Sequence, residues 1–299
     1  MPPSQSFDHA LAKRAQLLDD QTNALRLLDS SGDGFPDAFL ETFAGHYLLS
    51  TRHPQALTPQ LRTALESLRA PILWKHLDQN KKHSPELLFG TAVSAPFPAL
   101  ESGIRYLIDF SAGYSQGIFL DQRLNRLRVR KYSRPGQRIL NTFAYTGAFS
   151  VAASLGGATT TTLDLSQPYL DWARKNFILN NLDPDNHHFC KGDTFHWLKR
   201  FAKQGRRFHG IILDPPTFSR DQKGNVFSVE RDYAQLLENA LTCLEPQGWI
   251  LACTNCRKLS IEHFLSNLRS VCPGNKQLTP LPMPPEFTEA PYLKSIWIE

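Results

Sequence analysis

Beyond Pro135-Gly136 the chain changes rhythm, and apolar runs of strand length begin to alternate with helical spacings. Arg138 to Phe143 reads as a strand, Phe149 to Leu155 as a helix, Thr159 to Leu163 as a strand and Pro168 to Asn180 as a helix. The pattern continues with Trp197 to Gln204 as helix, His209 to Leu213 as a buried strand, and Asp232 to Cys243 as helix. Trp249 to Thr254 follows as strand, Ile261 to Cys272 as helix, and Lys294 to Ile298 as a last short strand. Such alternation means βαβ crossovers and a parallel sheet covered by helices, an α/β fold.

The first third lacks this order. Leu11, Ala15, Leu18, Leu25 and Leu28 suggest an amphipathic helix over residues 7 to 29, broken near Asp19 to Thr22. The turn formers Ser30-Ser31-Gly32-Asp33-Gly34-Phe35-Pro36 lead into a hairpin around Phe39 and Tyr47 to Leu49. Residues 54 to 83 return to helical spacing through Leu57, Leu61, Leu65 and Leu68, with Thr58 as cap and Pro59 at the first helical position. Asn80 to His83 reads as an exposed loop, and Tyr106 to Phe110 and Gly117 to Leu120 as short strands. The expected organisation is a small N-terminal α/β domain over residues 1–100 and a larger domain over 101–299.

Composition narrows the function classes. With 41% hydrophobic and 20% charged residues, the chain is ordinary for a globular protein, neither disordered nor fibrous. No apolar run approaches a membrane span, and the start MPPSQSFDHALAKR has no signal-peptide core, so a cytoplasmic protein is expected. Five cysteines, an odd number, argue against a disulfide framework, and the lone pair Cys253 and Cys256 lacks two further zinc ligands at suitable spacing. A net charge of +5 is compatible with a polyanionic partner but decides nothing alone.

Three strand ends carry the chemistry. The segment Ile139 to Ser150 runs from a strand through a turn containing Gly147 into a helix, where glycine lets backbone approach a cofactor. It matches neither the GxGxxG of a dinucleotide site nor a Gly-Lys-Ser/Thr phosphate loop. Asp164 ends the next strand, where a carboxylate can accept hydrogen bonds from both hydroxyls of a ribose; Asp193, after Lys191-Gly192, can do the same for an adenine amino group. Both acids are also candidates for helix capping, a duty for which Ser166 competes with Asp164. The sharpest element is Ile211-Ile212-Leu213-Asp214-Pro215-Pro216-Thr217-Phe218. Its prolines stop the strand and fix the Asp214 carboxylate at the sheet edge, while Phe218 can stack on an extruded base.

These motifs, with Gly117 to Arg123, Asp171 to Phe177 and Tyr292-Leu293-Lys294, resemble the class I S-adenosylmethionine-dependent methyltransferases of the 23S ribosomal RNA large-subunit type. That family acts on cytosine C5 or guanine N7, and the resemblance runs from about Arg26 to the C-terminus. It implies a Rossmann-like class I methyltransferase sheet, S-adenosylmethionine as cofactor, 23S ribosomal RNA as partner and no metal. By the same resemblance Asn141, Tyr145 and Gly147 line the methionine end, Asp164 holds the ribose, Asp193 the adenine, and Asp214 lies beside the target base. Phe119, Asp121 and Arg123 are expected to close over the cofactor, and Pro215, Pro216, Phe218, Asn255 and Arg257 to meet the substrate.

Cytosine-acting members often begin with an RNA-binding domain, whereas here only a short helical lead is read before the Gly32-Asp33-Gly34 turn. Cytosine-5 chemistry also needs a thiolate to add to the ring. Cys256 is the candidate, although ungapped matching puts Asn255 at the nucleophile position. Guanine N7 attacks the methyl directly and needs no protein nucleophile, which leaves Asn255 and Arg257 as base or phosphate contacts. Arg126, Arg128, Arg130, Lys131 and Arg134 form a basic run that is either a phosphate grip or a solvated loop and strand face. The rival readings are a methyltransferase for a protein or small molecule, a nucleotide-dependent oxidoreductase, and a non-catalytic RNA-binding module.

Overall fold

In the computed structural model, which describes residues 3–77, 85–91, 93, 95–112, 115–220 and 226–299, the chain divides into two units. One comprises Met1–Arg123 with Pro284–Pro291, the other Leu124–Met283 with Tyr292–Glu299.

In the first unit, helix α1 (Pro3–Ala15) precedes strand β1 (Ala24–Asp29), which pairs antiparallel with β2 (Ala38–Phe43). Strand β2 pairs with β3 (His46–Thr51), and after helix α2 (Pro59–Glu66) the strand β4 (Ile72–His76) lies parallel to β3, flanked by β5 (Glu86–Phe89). Thr58 caps α2 as expected, its hydroxyl accepting from Leu61 N at 3.2 Å. The helix is shorter than its leucine spacing predicts: Arg69 turns left-handed, and the chain re-enters the sheet as β4. The loop expected over Asn80 to His83 lies outside the described residues.

The helix expected through Leu25 and Leu28 is also a strand. A register shift between Arg26 and Leu28 sets Leu25 opposite Thr42 and Leu28 opposite Leu40. The extra residue puts two leucines three apart on the same face, which imitates helical spacing.

A hairpin of β6 (Phe97–Glu101) and β7 (Ile104–Ile108) completes this unit. Its Leu100 is bonded through both backbone groups to Asn23, and Phe110 packs edge-on against Phe43 at 5.8 Å. These contacts carry the boundary from the expected residue 100 to Arg123. Residues Pro284–Pro291 return to the same unit, held by buried arginines. Arg14, 1% exposed, donates to the Glu286 carbonyl and to both oxygens of Asp33, and Arg123 makes a two-point ion pair with the Glu286 carboxylate. Asp29 accepts from Glu289 N at 2.7 Å.

The second unit opens with α3 (Arg123–Tyr132) and continues through β8 (Arg138–Thr142), α4 (Ala148–Leu155), β9 (Thr159–Asp164), α5 (Gln167–Leu179), β10 (His188–Lys191), α6 (Thr194–Lys203) and β11 (Phe208–Leu213). A small hairpin of β12 (Phe218–Arg220) and β13 (Val226–Ser228) precedes α7 (Val229–Leu241), β14 (Leu244–Thr254), α8 (Ile261–Arg269), β15 (Leu278–Leu281) and β16 (Lys294–Ile298). The sheet order is β10-β9-β8-β11-β14-β16-β15. β10, β9, β8, β11 and β14 run parallel, and β16 runs antiparallel to both β14 and β15.

The core strand β11 is apolar without alternation because helices cover both its faces. Each of Ile211, Ile212 and Leu213 is fully buried, a contribution of about 1.5–3 kcal/mol apiece. Gly210 carries no side chain because the Trp249 indole lies where its Cβ would be, and Trp249 stacks in turn on Trp297 at 4.5 Å.

Two expectations fail here. Gly117 to Leu120 is not a strand, and the basic run after it from Arg126 to Lys131 is not a loop or a strand face but helix α3, with Arg134 just beyond its end. Arg126 is 2% exposed and lies over the Phe149 ring, while Arg128 lies over Tyr132 and Trp297. Their guanidinium planes pack on aromatic rings, a use of arginine that charge counting does not reveal.

Candidate active site

Strand order in the second unit reverses between β8 and β11, and at such a switch point the carboxyl ends of the strands open a crevice that takes ligands. The expected motifs in this unit gather along that edge. Asn141 and Thr142 end β8, Asp164 ends β9, Asp193 follows β10, Asp214 follows β11, and Asn255 follows β14.

Between β8 and α4 the backbone is forced into an unusual path. Phe143, Tyr145 and Gly147 all have positive φ, at 51°, 50° and 73°. The left-handed conformation costs a non-glycine residue on the order of 1–3 kcal/mol, so the surroundings must hold it. They do so with buried polar contacts. Asn176 of α5 donates to Thr146 O at 2.9 Å, Ala144 N donates to Leu163 O, and Tyr145 N donates to Asp164 Oδ2 at 2.8 Å. At Gly147 a Cβ would stand 2.7 Å from Ala173 Cβ, so α5 could not approach the loop so closely.

Beneath the loop Asn141 is buried and donates its amide to Ser150 Oγ at 3.0 Å, which also accepts from Thr162 Oγ1 at 2.8 Å. Its side chain supports the turn from below. Ser150, Thr162 and Asn176 were not anticipated; the asparagine within Asp171 to Phe177 was the available signal, a polar residue on the buried side of an amphipathic helix.

Asp164 is the pivot. Its two oxygens accept from Tyr145 N and Ser166 N, both at 2.8 Å. Burial raises its pKa above the ordinary aspartate value, and the bonds from Ser166, Tyr145 and Leu165 oppose that rise. A carboxylate has about four lone-pair sites, so acceptor capacity remains on each oxygen for two hydroxyls. Tyr145 and Tyr169 meet edge-on at 4.6 Å beside it, and the Tyr169 hydroxyl pKa is raised by burial and then by the Asp164 charge. Asp193 does cap α6, with Oδ1 accepting from His196 N at 2.8 Å. Capping occupies one oxygen and leaves the other.

On the other side of the switch point, Asp214 is half-buried, Pro215 buried and Pro216 exposed, while Phe218 is 59% exposed. The buried Tyr233 fixes the strand end by donating its hydroxyl to Leu213 O at 2.9 Å. Thr217 Oγ1 donates to Asn255 Oδ1 at 2.8 Å, which ties the Asp-Pro-Pro segment to the end of β14 and leaves the Asn255 NH₂ group as a donor. Asn255 is exposed, whereas Cys256 is 2% exposed and packed in the core with Phe264 and Ile296. Lys294 donates to the carbonyls of Cys256 and Tyr292, with its pKa lowered chiefly by burial, and Arg257 lies over the Tyr292 ring at 4.8 Å. Among the described residues no three His, Cys, Asp or Glu side chains form a metal-binding group. Phe119, Asp121 and Arg123 belong to the first unit, where Phe119 is exposed and Arg123 is in its ion pair with Glu286.

A half-buried carboxylate at a strand end, a left-handed turn at Phe143 to Gly147 without a phosphate loop, and a parallel sheet extended by the antiparallel β16 and β15 define a Rossmann-like enzyme of the nucleoside-cofactor class. The model for S-adenosylmethionine-dependent methyltransferases matches residues 48–296, and the chain belongs to that family. S-adenosylmethionine is its cofactor. The chain is 32% identical to a ribosomal RNA large subunit methyltransferase of Deinococcus radiodurans, covering 98% of this chain and 78% of that protein. It is 36% identical to ribosomal RNA large subunit methyltransferase K of Neisseria meningitidis over 62% of this chain, and spans about half the length of that relative (52%). The crystal structure of SMU.776 complexed with SAH superposes with a TM-score of 0.90 at 29% identity, covering 99% of this chain and 80% of that one.

Proposed function

We propose that this methyltransferase modifies a base of 23S ribosomal RNA in the cytoplasm, and that the base is a guanine attacked through N7. The observation that carries the reading is the end of β11. Asp214 is held between two prolines and the Tyr233 hydroxyl bond, beside an exposed Phe218 and an outward amide donor on Asn255. An acceptor, a donor and an aromatic face suit a planar base removed from its stack. The RNA named for the Deinococcus and Neisseria relatives supports the same acceptor.

When bound, the cofactor supplies an electrophilic methyl group on a sulfonium. The residues present fit it: Asp164 keeps acceptor capacity for the ribose, Asp193 keeps one oxygen for the adenine amino group, and the Phe143 to Gly147 turn brings backbone to the methionine end. Asp214 and Asn255 orient the base, and Phe218 covers its face. No proton need be abstracted before N7 attacks, so positioning supplies most of the catalysis.

Burial of Cys256 favours guanine N7 over cytosine C5, because a thiol packed in the core is poorly placed to add to a ring. The test incubates the protein with methyl-labelled S-adenosylmethionine and ribosomal RNA from cells lacking the gene, then identifies the labelled nucleoside. Label in 7-methylguanosine with both the wild type and Cys256→Ala is expected, together with a large loss of rate in Asp214→Asn. Label in 5-methylcytosine that vanishes with Cys256→Ala would restore the thiol route. An unlabelled RNA pool would move the acceptor to a protein or small molecule.

A further inference from the structure

Helix α6 carries a cationic face that the methyl-transfer site does not use. His196, Lys199, Arg200 and Lys203 are all exposed, and their spacing of three, four and seven residues puts them on one side of the helix. The opposite side, with Thr194, Leu198 and Phe201, is buried in the core. No acidic residue occurs in the helix, and among the described residues none of these four side chains forms an ion pair with a carboxylate. Like charges at these spacings destabilise a helix in isolation. The helix dipole offsets the cost for Arg200 and Lys203 in the last turn, but not for Lys199.

The placement of this face matters more than its charge. Helix α6 begins at Asp193, at the strand edge where the candidate site opens, and runs back along the sheet for about 15 Å at 1.5 Å per residue. The Trp197 indole donates to Lys191 O at 3.1 Å, fixing the first turn to the outermost strand β10, and the Arg200 guanidinium lies over that ring at 4.8 Å. The cations are thus presented from a rigid base, one turn apart. A membrane-binding helix would offer an apolar side to lipid, but here that side is already buried in the protein.

We propose that the His196-Lys199-Arg200-Lys203 face is a track for the RNA backbone, gripping phosphates on one side of the target nucleotide while its base occupies the site. The proposal rests on the RNA reading above and names a surface for it. In the run from Arg126 to Arg134, by contrast, Arg126 is buried and Arg128 and Arg130 are half-buried, which leaves Lys131 and Arg134 exposed.

The test is fluorescence anisotropy of a fluorescein-labelled, mixed-sequence single-stranded RNA over a series of KCl concentrations. The variants are Lys199→Gln/Lys203→Gln and, as a charge rescue, Lys199→Arg/Lys203→Arg. Each lost phosphate contact on a single strand removes about 0.7 from the slope of log K against log salt, so the glutamine pair should flatten it by about 1.4 and the arginine pair should restore it. S-adenosylhomocysteine affinity by calorimetry should be equal in all three, which separates this effect from misfolding. Equal slopes for the wild type and the glutamine pair would overturn the track while leaving an RNA acceptor standing. A wild type without salt-dependent RNA binding would remove both. Charge-dependent binding to phosphatidylglycerol vesicles, with RNA binding unaffected, would overturn it in favour of a membrane surface.

Discussion

At the scale of single residues, the sharpest consequence concerns Asp164. Because Tyr145 N and Ser166 N each donate to a different oxygen, an amide there must turn its NH₂ toward one of those N–H groups. Asp164→Asn should therefore weaken S-adenosylhomocysteine binding by roughly 10- to 100-fold, the worth of one charge-assisted hydrogen bond of about 1.5–3 kcal/mol, as read by calorimetry. Its raised pKa has a signed effect on pH dependence. The folded protein holds this proton more tightly than the unfolded chain does, so the associated stability is present at low pH and is lost as pH rises through the folded value. Ribose binding asks for the opposite, ionised state. Affinity should fall as pH is lowered, starting above the ordinary aspartate range; a flat profile would mean that Asp164 holds no hydroxyl. Asp164 and Asp214 lie at strand ends, as their places in the sequence suggest, because each follows a run of strand length and precedes a turn. Asn141, Ser150, Thr162 and Asn176 form one support only after β8, β9, α4 and α5 have packed, and no local pattern foretells that.

At the scale of elements, the parallel sheet was legible because its long strands are runs of β-branched or apolar residues bounded by turn residues. Strands β10 and β15 were missed: His188 to Lys191 is half polar at a sheet edge, and Leu278 to Leu281 contains a proline. The first unit misled in another way, since a bulge in β1 gave its leucines helical spacing. Segment Pro284–Pro291 was not anticipated as an element at all, because its structure consists of what it binds. Removing the carboxylate in Glu286→Ala leaves the Arg123 guanidinium without its ion pair and should cost about 3–5 kcal/mol. The urea midpoint is the measurement, and a shift within error would show that water replaces the pair.

At the scale of the whole molecule, the division at Arg123 could not be read from composition, because the segment that completes the first unit comes from near the other end of the chain. A fragment ending at Arg123 loses the bonds that Arg14, Asp29 and Arg123 make to residues 286–289, while Arg14 keeps Asp33 and Asp29 keeps Arg26. It should show no cooperative urea transition by circular dichroism, and a cooperative one would mean that residues 284–291 only decorate a finished unit. The same return sets an order of events on the ribosome. Arg14 and the carbonyl it binds are 272 positions apart, so at about 5–20 residues per second roughly 14 to 54 s pass between synthesis of the arginine and synthesis of its partner. Through that interval Arg14 has only Asp33 and its own helix to bind, and the first unit cannot reach its final form until residues 284–291 have been made.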